Sequence, residues 1–405
     1  CYYISLLSQV QIMTLTEPSE LDCRVQNYAW GKFGDDSMVA LLHSSRHPVD
    51  SSLRYAELWM GTHVNGPSTI RRTSIPLKEA IGGQDIPFLF KVLSVDKALS
   101  IQAHPNKALA KVLHAKMPKE YADDNHKPEM AVALTPFEAL CGFRPLPEIA
   151  HFLKTVPQLR TLIQEQSAKD FFSALESSNC QKKELQAIFT DLMKCSPDTV
   201  AKELQALLKN IADIDFELPS TKSTINLKSL IIRLAEQYPD DVGIFCVFFL
   251  NAINMTPGSA MFLDANEPHA YLCGSCVEVM ACSDNVVRAG LTPKFRDVDT
   301  LCSMLSYRAL MPDLSYGNMI DPCTLAFPAP VSEFYLTRTT LKLDDGCYTM
   351  APTQGISIVI VIEGTGRLAD IRLQTGSVVA IPDNCAVKIE ADNTLMLFRC
   401  SENRV

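Results

Sequence analysis

The sequence predicts a mainly β protein with an α-helical domain inserted in it and two related β-barrels. Three observations carry this. Short β-rich runs separated by Gly, Pro and Asn turns fill residues 21–145 and return after about residue 245. Between them, over 146–244, the apolar positions recur with a helical period. Two late segments also align: PGSAMFLDANEPHAYL from Pro257 and TGSVVAIPDNCAVKIE from Thr375 share Gly-Ser, then an apolar strand, then Asn266 against Asn384. The alternative is chance, since a Gly, a strand and an Asn turn are common. As a true repeat, the pairing sets Val387 opposite His269 and implies that the second barrel has lost that histidine.

The chain opens on CYYISLLSQVQIM, which lacks the basic start and small-residue cleavage site of a signal peptide. Residues 1–20 are expected to be a leader, not native before Met13. The first β region contains PFLFKVLSV (87–95) and ALSIQAH (98–104). In SIQAHPNK, strand alternation puts Ser100, Gln102 and His104 on one polar face and Ile101 and Ala103 on the other. That face is either solvated or liganding.

The helical block follows. In SPDTVAKELQALLKNIADI, Ser196 is the expected cap, Pro197 sits in the first turn, and Val200, Leu204, Leu207, Leu208 and Ile211 share one face. TINLKSLIIRLAEQYPDD repeats this with Asn226 as cap and Pro239 as stop. VGIFCVFFLNAI (242–253), the longest apolar run, falls short of the roughly 18 residues of a membrane span and suits a buried core. The expected division is 21–145 plus 245–330 for the first barrel, 146–244 for the helical insertion and 331–405 for the second barrel.

Of the 405 residues, 47% are hydrophobic and 20% charged, as in an ordinary globular chain. A net charge of −9 argues against a nucleic-acid binder but leaves room for a small anionic substrate held by a few local cations. Fourteen cysteines lie scattered in apolar contexts such as IFCVF, which reads as buried thiols in a reducing compartment; cytoplasm is the expected location. The close pair Cys273 and Cys276 has no second pair to complete a thiolate zinc site.

The chemistry-bearing residues cluster by type. His104 shares a strand face with Gln102; Lys127 and Glu129 stand two apart in NHKPEM, extended because Lys127 precedes a proline; His269 ends a strand. Gln, His, Glu and His suit a divalent metal such as zinc in a catalytic site, the other reading being four unrelated polar residues near turns. In CVEVMACSDNVVRAGLTPKF, Glu278 lies between apolar neighbours, where a raised pKa would suit a general acid or base. Arg288 and Lys294 would either pair at the surface or bind an anionic oxygen. No GxxxxGK[ST], strand-borne GxGxxG or GxSxG motif is present, which counts against nucleotide-binding enzymes and serine hydrolases.

YAWGKFG (28–34), YAELWMGTH (55–63), PFLFKVLSV, LSIQAHPNK, NHKPEMAVALTPFEALCGFRP (125–145) and PHAYLCGSCVEVMACSDNVVRAGLTPKF (268–295) closely resemble the type I mannose-6-phosphate isomerases. The resemblance runs in order along the chain, weakest in the helical block and the last barrel. It implies a cupin-type (jelly-roll) catalytic barrel, an inserted helical domain and a degenerate second cupin barrel. It implies one zinc ion, with Gln102, His104, Glu129 and His269 at the ligand positions. The implied reaction interconverts mannose 6-phosphate and fructose 6-phosphate through a cis-enediol(ate), feeding GDP-mannose and glycosylation. Arg288 would stabilise charge, Glu278 is the first choice of acid/base with Lys127 its rival, and Ser100, Lys91 and Lys294 would contact phosphate or sugar. A monomer with no nucleic-acid or membrane partner is expected. The competing readings are an iron dioxygenase of the same fold and a non-catalytic sugar-phosphate-binding protein.

Overall fold

The computed structural model describes residues 15–177, 182–214, 216 and 225–403, so the expected start at Met13 lies outside the described residues. Two β-barrels pack side by side, with a helical domain against the first.

The strand His269–Ala281 is the spine of the first barrel. Its opening half pairs with Phe137–Phe143 and, at His269, with Gln102; its closing half pairs with Phe88–Val95 on one edge and Glu129–Ala133 on the other. Simple alternation along thirteen residues would aim His269 and Glu278 to opposite faces. Gly274 prevents this. It adopts φ 113°, a conformation that disfavours a side chain, and a Cβ there would lie 2.4 Å from the Pro136 carbonyl oxygen. Just before it, where Glu138 faces Cys273 but Ala139 faces Tyr271, the register slips by one residue, as at a β-bulge. Tyr271 before the bulge and Cys276 after it consequently share the barrel interior with Leu93, Ala131 and Met261, while Val277 and Val279 face outward.

The aligned segments are structurally equivalent. The strand Ala260–Leu263 corresponds to Val378–Ile381, and the glycines preceding them have matching conformations, Gly258 at φ 87° and Gly376 at φ 85°. Asn266 and Asn384 both adopt the left-handed turn conformation, at φ 65° and 53°. His269 and Val387 each open the next strand. Val387 packs into an aliphatic interior with Leu341, Val359, Leu373 and Ile389.

Two segments differ from the expected division. Ser19–Asp22 is a strand pairing with Val378–Ile381 and Thr69–Ile70, so the expected leader 1–20 overlaps it at Ser19 and Glu20; SELD is too short and polar to read as a strand by itself. Asn318–Asp321 and Thr324–Phe327 form a hairpin that adds to Tyr335–Leu341, so the second barrel's sheet begins before the expected boundary at 331. The exposed Met319 and Ile320 give that hairpin no buried-face pattern to detect.

An apolar layer joins the barrels: Phe88, Phe90, Val92, Val277 and Val279 meet Phe327, Leu336, Ile358, Ile360 and Phe398. The helical domain has the expected caps, with Ser196 accepting from the Thr199 N–H and Asn226 from the Ser229 N–H. Val200, Leu204 and Leu207, and Leu227, Leu230, Ile231 and Leu234, are buried as their stripes required. Val242–Phe248 is a fully buried 3-10 turn joining the helices to Leu140 and Phe143 of the barrel. No helix among the described residues is long and apolar enough to cross a membrane.

Candidate metal centre and active site

His104, Glu129 and His269 converge from three chain segments inside the first barrel. They are the one such group of three or more His, Cys, Asp or Glu side chains among the described residues. Both histidines are 1% exposed and Glu129 2%. The His104 Nδ1–H donates to the Asn285 carbonyl at 2.7 Å, and the His269 Nδ1–H to the Glu267 carbonyl at 3.0 Å. A carbonyl can only accept, so both Nδ1 atoms carry the proton and both Nε2 atoms present lone pairs. The two Nε2 atoms and Oε2 of Glu129 are buried without a hydrogen-bond partner.

Three orphaned lone-pair donors facing one another are costly unless something satisfies them. A divalent cation does so. Around a tetrahedral ion with bonds of about 2.0–2.1 Å, neighbouring donors lie about 3.3–3.4 Å apart. The Glu129 oxygens are 3.3 Å from each histidine Nε2. The electrostatics agree: burial lowers His104 to about 4, keeping it a neutral ligand. Burial opposes charge on Glu129, but the Lys127 ammonium at 3.3 Å favours the carboxylate and lowers its pKa.

A second buried cluster adjoins the first. Glu278 is cross-strand from Lys91, with Nζ to Oε2 at 3.2 Å, and Glu57 is 3.7 Å from the same Nζ. Burial raises Glu278, and the charges of Glu129 and Glu57 add to this against the pull of Lys91. Burial opposes the Lys91 charge, but Glu57 and Glu278 together raise its pKa. Trp59 lies 5.1 Å from the Lys91 ammonium and donates its indole N–H to Glu57. His63 stands edge-on to Trp59, and its Nε2 is 3.7 Å from Asp284. Tyr271 is buried beside these carboxylates, its pKa pushed well up by burial and then by Glu278 and Glu129.

The remaining sequence-identified residues are distributed unevenly. Gln102 is the cross-strand neighbour of both His269 and Arg288, so the three side chains share a face. Ser100 Oγ donates to Gln102 Oε1 at 3.2 Å. Arg288 is half-buried, its pKa lowered by burial, and pairs with no carboxylate among the described residues. Lys294 sits in an exposed loop outside the buried cluster, and Lys91 is engaged by two carboxylates inside the barrel. Glu57, Trp59, His63 and Tyr271 were not singled out from the sequence. The first three lie in YAELWMGTH, where Glu57 and Trp59 alternate with apolar residues, a signal that was available.

Known proteins agree with this geometry. Residues 19–146 match the family described as phosphomannose isomerase type I, catalytic domain; 162–250 match its helical insertion domain and 324–369 its C-terminal region. Mannose-6-phosphate isomerase from Homo sapiens is 42% identical over 94% of this chain and 97% of its own length. Mannose-6-phosphate isomerase 1 from Arabidopsis thaliana is 40% identical, covering 95% and 93%. The Salmonella typhimurium mannose 6-phosphate isomerase, solved bound to substrate and to zinc, superposes with a TM-score of 0.79 at 30% identity over 96% of this chain and all of that one. With relatives at this identity spanning both barrels and the helical insertion, the chain belongs to the type I phosphomannose isomerase family.

Proposed function

We propose that this chain is a zinc-dependent aldose–ketose isomerase that interconverts mannose 6-phosphate and fructose 6-phosphate. The observation that carries the reading is the set of three buried, unpartnered donors of His104, Glu129 and His269 beside a buried acid–lysine pair. Gln102, next to His269 in the sheet, is the proposed fourth ligand. When bound, zinc supplies an electrophile for the oxygens at C1 and C2 of the sugar.

Glu278 is the proposed base. Its burial raises its proton affinity toward the range useful for taking a proton from one of these carbons and returning it to the other through a cis-enediolate. Lys91, 3.2 Å away, fixes the carboxylate. Lys127 is the second choice, because its ammonium is already paired with Glu129. Arg288, with no carboxylate partner among the described residues, is proposed to stabilise negative charge on the reacting oxygens. Ser100, Lys91 and Lys294 are the proposed contacts to sugar and phosphate, Lys91 from within the barrel and Lys294 from its exposed rim. In this reading, residues 21–145 and the return of the chain after 245 form the catalytic unit.

The described cysteines form no disulfide, which supports a reducing, cytoplasmic location. A monomeric state is proposed as well.

The test is conversion of mannose 6-phosphate to fructose 6-phosphate by the protein as purified, after chelation, and after zinc is restored. Activity lost on chelation and regained with zinc is the expected result. A folded, zinc-loaded protein without turnover would favour the non-catalytic sugar-phosphate-binding reading.

A further inference from the structure

The two histidines of the metal centre are aimed by backbone carbonyls, and each carbonyl belongs to a residue tied down elsewhere. Glu267, whose carbonyl orients His269, is held through its carboxylate by Arg308, from Nε at 2.9 Å and Nη2 at 2.8 Å. Asn285, whose carbonyl orients His104, has no comparable ion pair. Its segment is an irregular loop between the end of the strand His269–Ala281 and the strand Val287–Gly290, with no ladder bonds of its own to fix it. Something else must hold that carbonyl in place.

The structure assigns this task to Asp123, which we infer to be a positioning residue for the metal centre, acting on His104 through the Asn285 carbonyl. Asp123 lies far away in sequence, in the loop YADDNHKP that leads to Lys127 and Glu129. Oδ1 of its carboxylate accepts from the Ser283 hydroxyl at 2.8 Å, from the Asn125 N–H at 2.9 Å and from Asn285 Nδ2 at 3.1 Å. Oδ2 accepts from the Asp284 N–H at 2.8 Å. Its main-chain carbonyl takes a further bond from Asn285 Nδ2, also at 2.8 Å. One aspartate thereby ties residues 283, 284 and 285 to its own loop. Asn285 is fully buried at the centre of this clamp, and its side-chain amide also reaches the Asn125 carbonyl at 2.9 Å.

The chemistry explains the choice of an aspartate. Every partner of the carboxylate is a donor, so an anion with two acceptor oxygens satisfies them all. The clamp also joins the two loops that lead to the centre's residues, one running into Glu129 and the other carrying the His104 acceptor. If it loosens, the Nδ1 bond of His104 loses its fixed acceptor and the ring is free to turn its lone pair away from the shared point. Groups that hydrogen-bond a ligand directly typically change metal affinity by about 10–100-fold, and Asp123 holds such a group in place, so that range bounds its effect from above. The inference rests on the proposed zinc-binding reading, and its test separates the two.

The experiment measures release of zinc from the holoprotein to a chromophoric chelator, for the wild type, Asp123→Ala, Asp123→Asn and His269→Ala. Asp123→Ala should release zinc faster than wild type, by up to about 10–100-fold, with circular dichroism and the melting temperature of the zinc-free protein close to wild type. Asp123→Asn keeps the Oδ1 bonds and loses only the acceptor for the Asp284 N–H, so it should fall between the two. That graded order is not produced by a general loss of packing. A folded Asp123→Ala that releases zinc at the wild-type rate overturns the inference. If Asp123→Ala does not fold, Asp123→Asn with a wild-type release rate overturns it. Wild type that binds no zinc, or His269→Ala that binds it normally, overturns the metal-site reading itself.

Discussion

Glu278 and Lys91 face each other across neighbouring strands, their charged ends 3.2 Å apart and both side chains almost wholly buried. Lys91 is in turn shared with Glu57, so two carboxylates compete for one ammonium. A second buried acid beside an ion pair raises proton affinity, and Glu278 is the one that burial raises.

Glu278→Gln is therefore expected to keep its zinc and lower kcat by about 10²–10⁴-fold, the usual contribution of a general base. Steady-state kinetics alongside metal analysis checks this. Near-wild-type turnover would transfer the role to Lys127, and Lys127→Ala would then be the variant that loses it.

Arg288→Ala is expected to slow turnover by about 10²–10³-fold with the melting temperature nearly unchanged, because the guanidinium has no carboxylate partner among the described residues whose loss would unsettle the fold. A kcat within twofold of wild type would mean that the arginine does not meet reacting oxygens.

Gly274→Ala tests the bulge. The new Cβ would meet backbone at 2.4 Å in a conformation at φ 113°. The expected cost is about 2–3 kcal/mol or more, read by denaturant unfolding. Activity should fall further than stability, since relaxing the bulge turns Glu278 relative to His269. A stable, fully active variant would show that the strand tolerates the change without altering its facing.

The contact between barrels has a pH signature. His126 Nε2 lies 2.6 Å from Glu333. Burial raises the Glu333 carboxyl, but hydrogen bonding to and charge on His126 outweigh it and bring it below the ordinary 4.5. The folded protein thus binds this proton more weakly than the unfolded chain does. The stabilisation is complete above about pH 4.5 and is lost as pH falls through the lower folded value. The group is partly solvated, so the effect is at most about 1 kcal/mol. Thermal unfolding of wild type and Glu333→Gln should differ at pH 6, and the difference should shrink as the pH is lowered through the folded value of Glu333. A difference that does not change with pH would assign the effect to packing.

What the sequence made legible follows from how local each signal is. The caps Ser196 and Asn226 and the stripes behind them are set within one or two turns, and they are found as expected. Asn266 and Asn384 were visible as a repeat because both must take a left-handed turn, which few residues do readily. The polar face of SIQAH marked His104 through simple alternation. The kinship of His269 and Glu278 was hidden, because alternation across Gly274 gives the wrong parity and only a structural bulge restores it. Tyr271 carries no signal in the sequence, because its burial beside two carboxylates depends on strands distant in sequence. The first strand of the hairpin 318–327 was missed because neither of its faces is buried, Met319 and Ile320 both being exposed.

The repeat has a consequence for how this doubled fold divides its labour. The interior of one barrel holds Lys91, Glu57, Glu278, Glu129 and two histidines, a set of groups whose desolvation works against folding. In the other barrel the corresponding space, at Val387, is filled with hydrocarbon. At that position the second barrel spends no desolvation on a metal-binding group and gains apolar packing instead. Its sheet, pressed on the back of strands 88–95 and 277–279, lends this cohesion to its partner. Once a duplicated unit falls silent chemically, it becomes the ballast that lets its sibling carry an unstable cargo of charge. Volume-conserving exchanges should therefore drift through the silent barrel far more readily than through the active one.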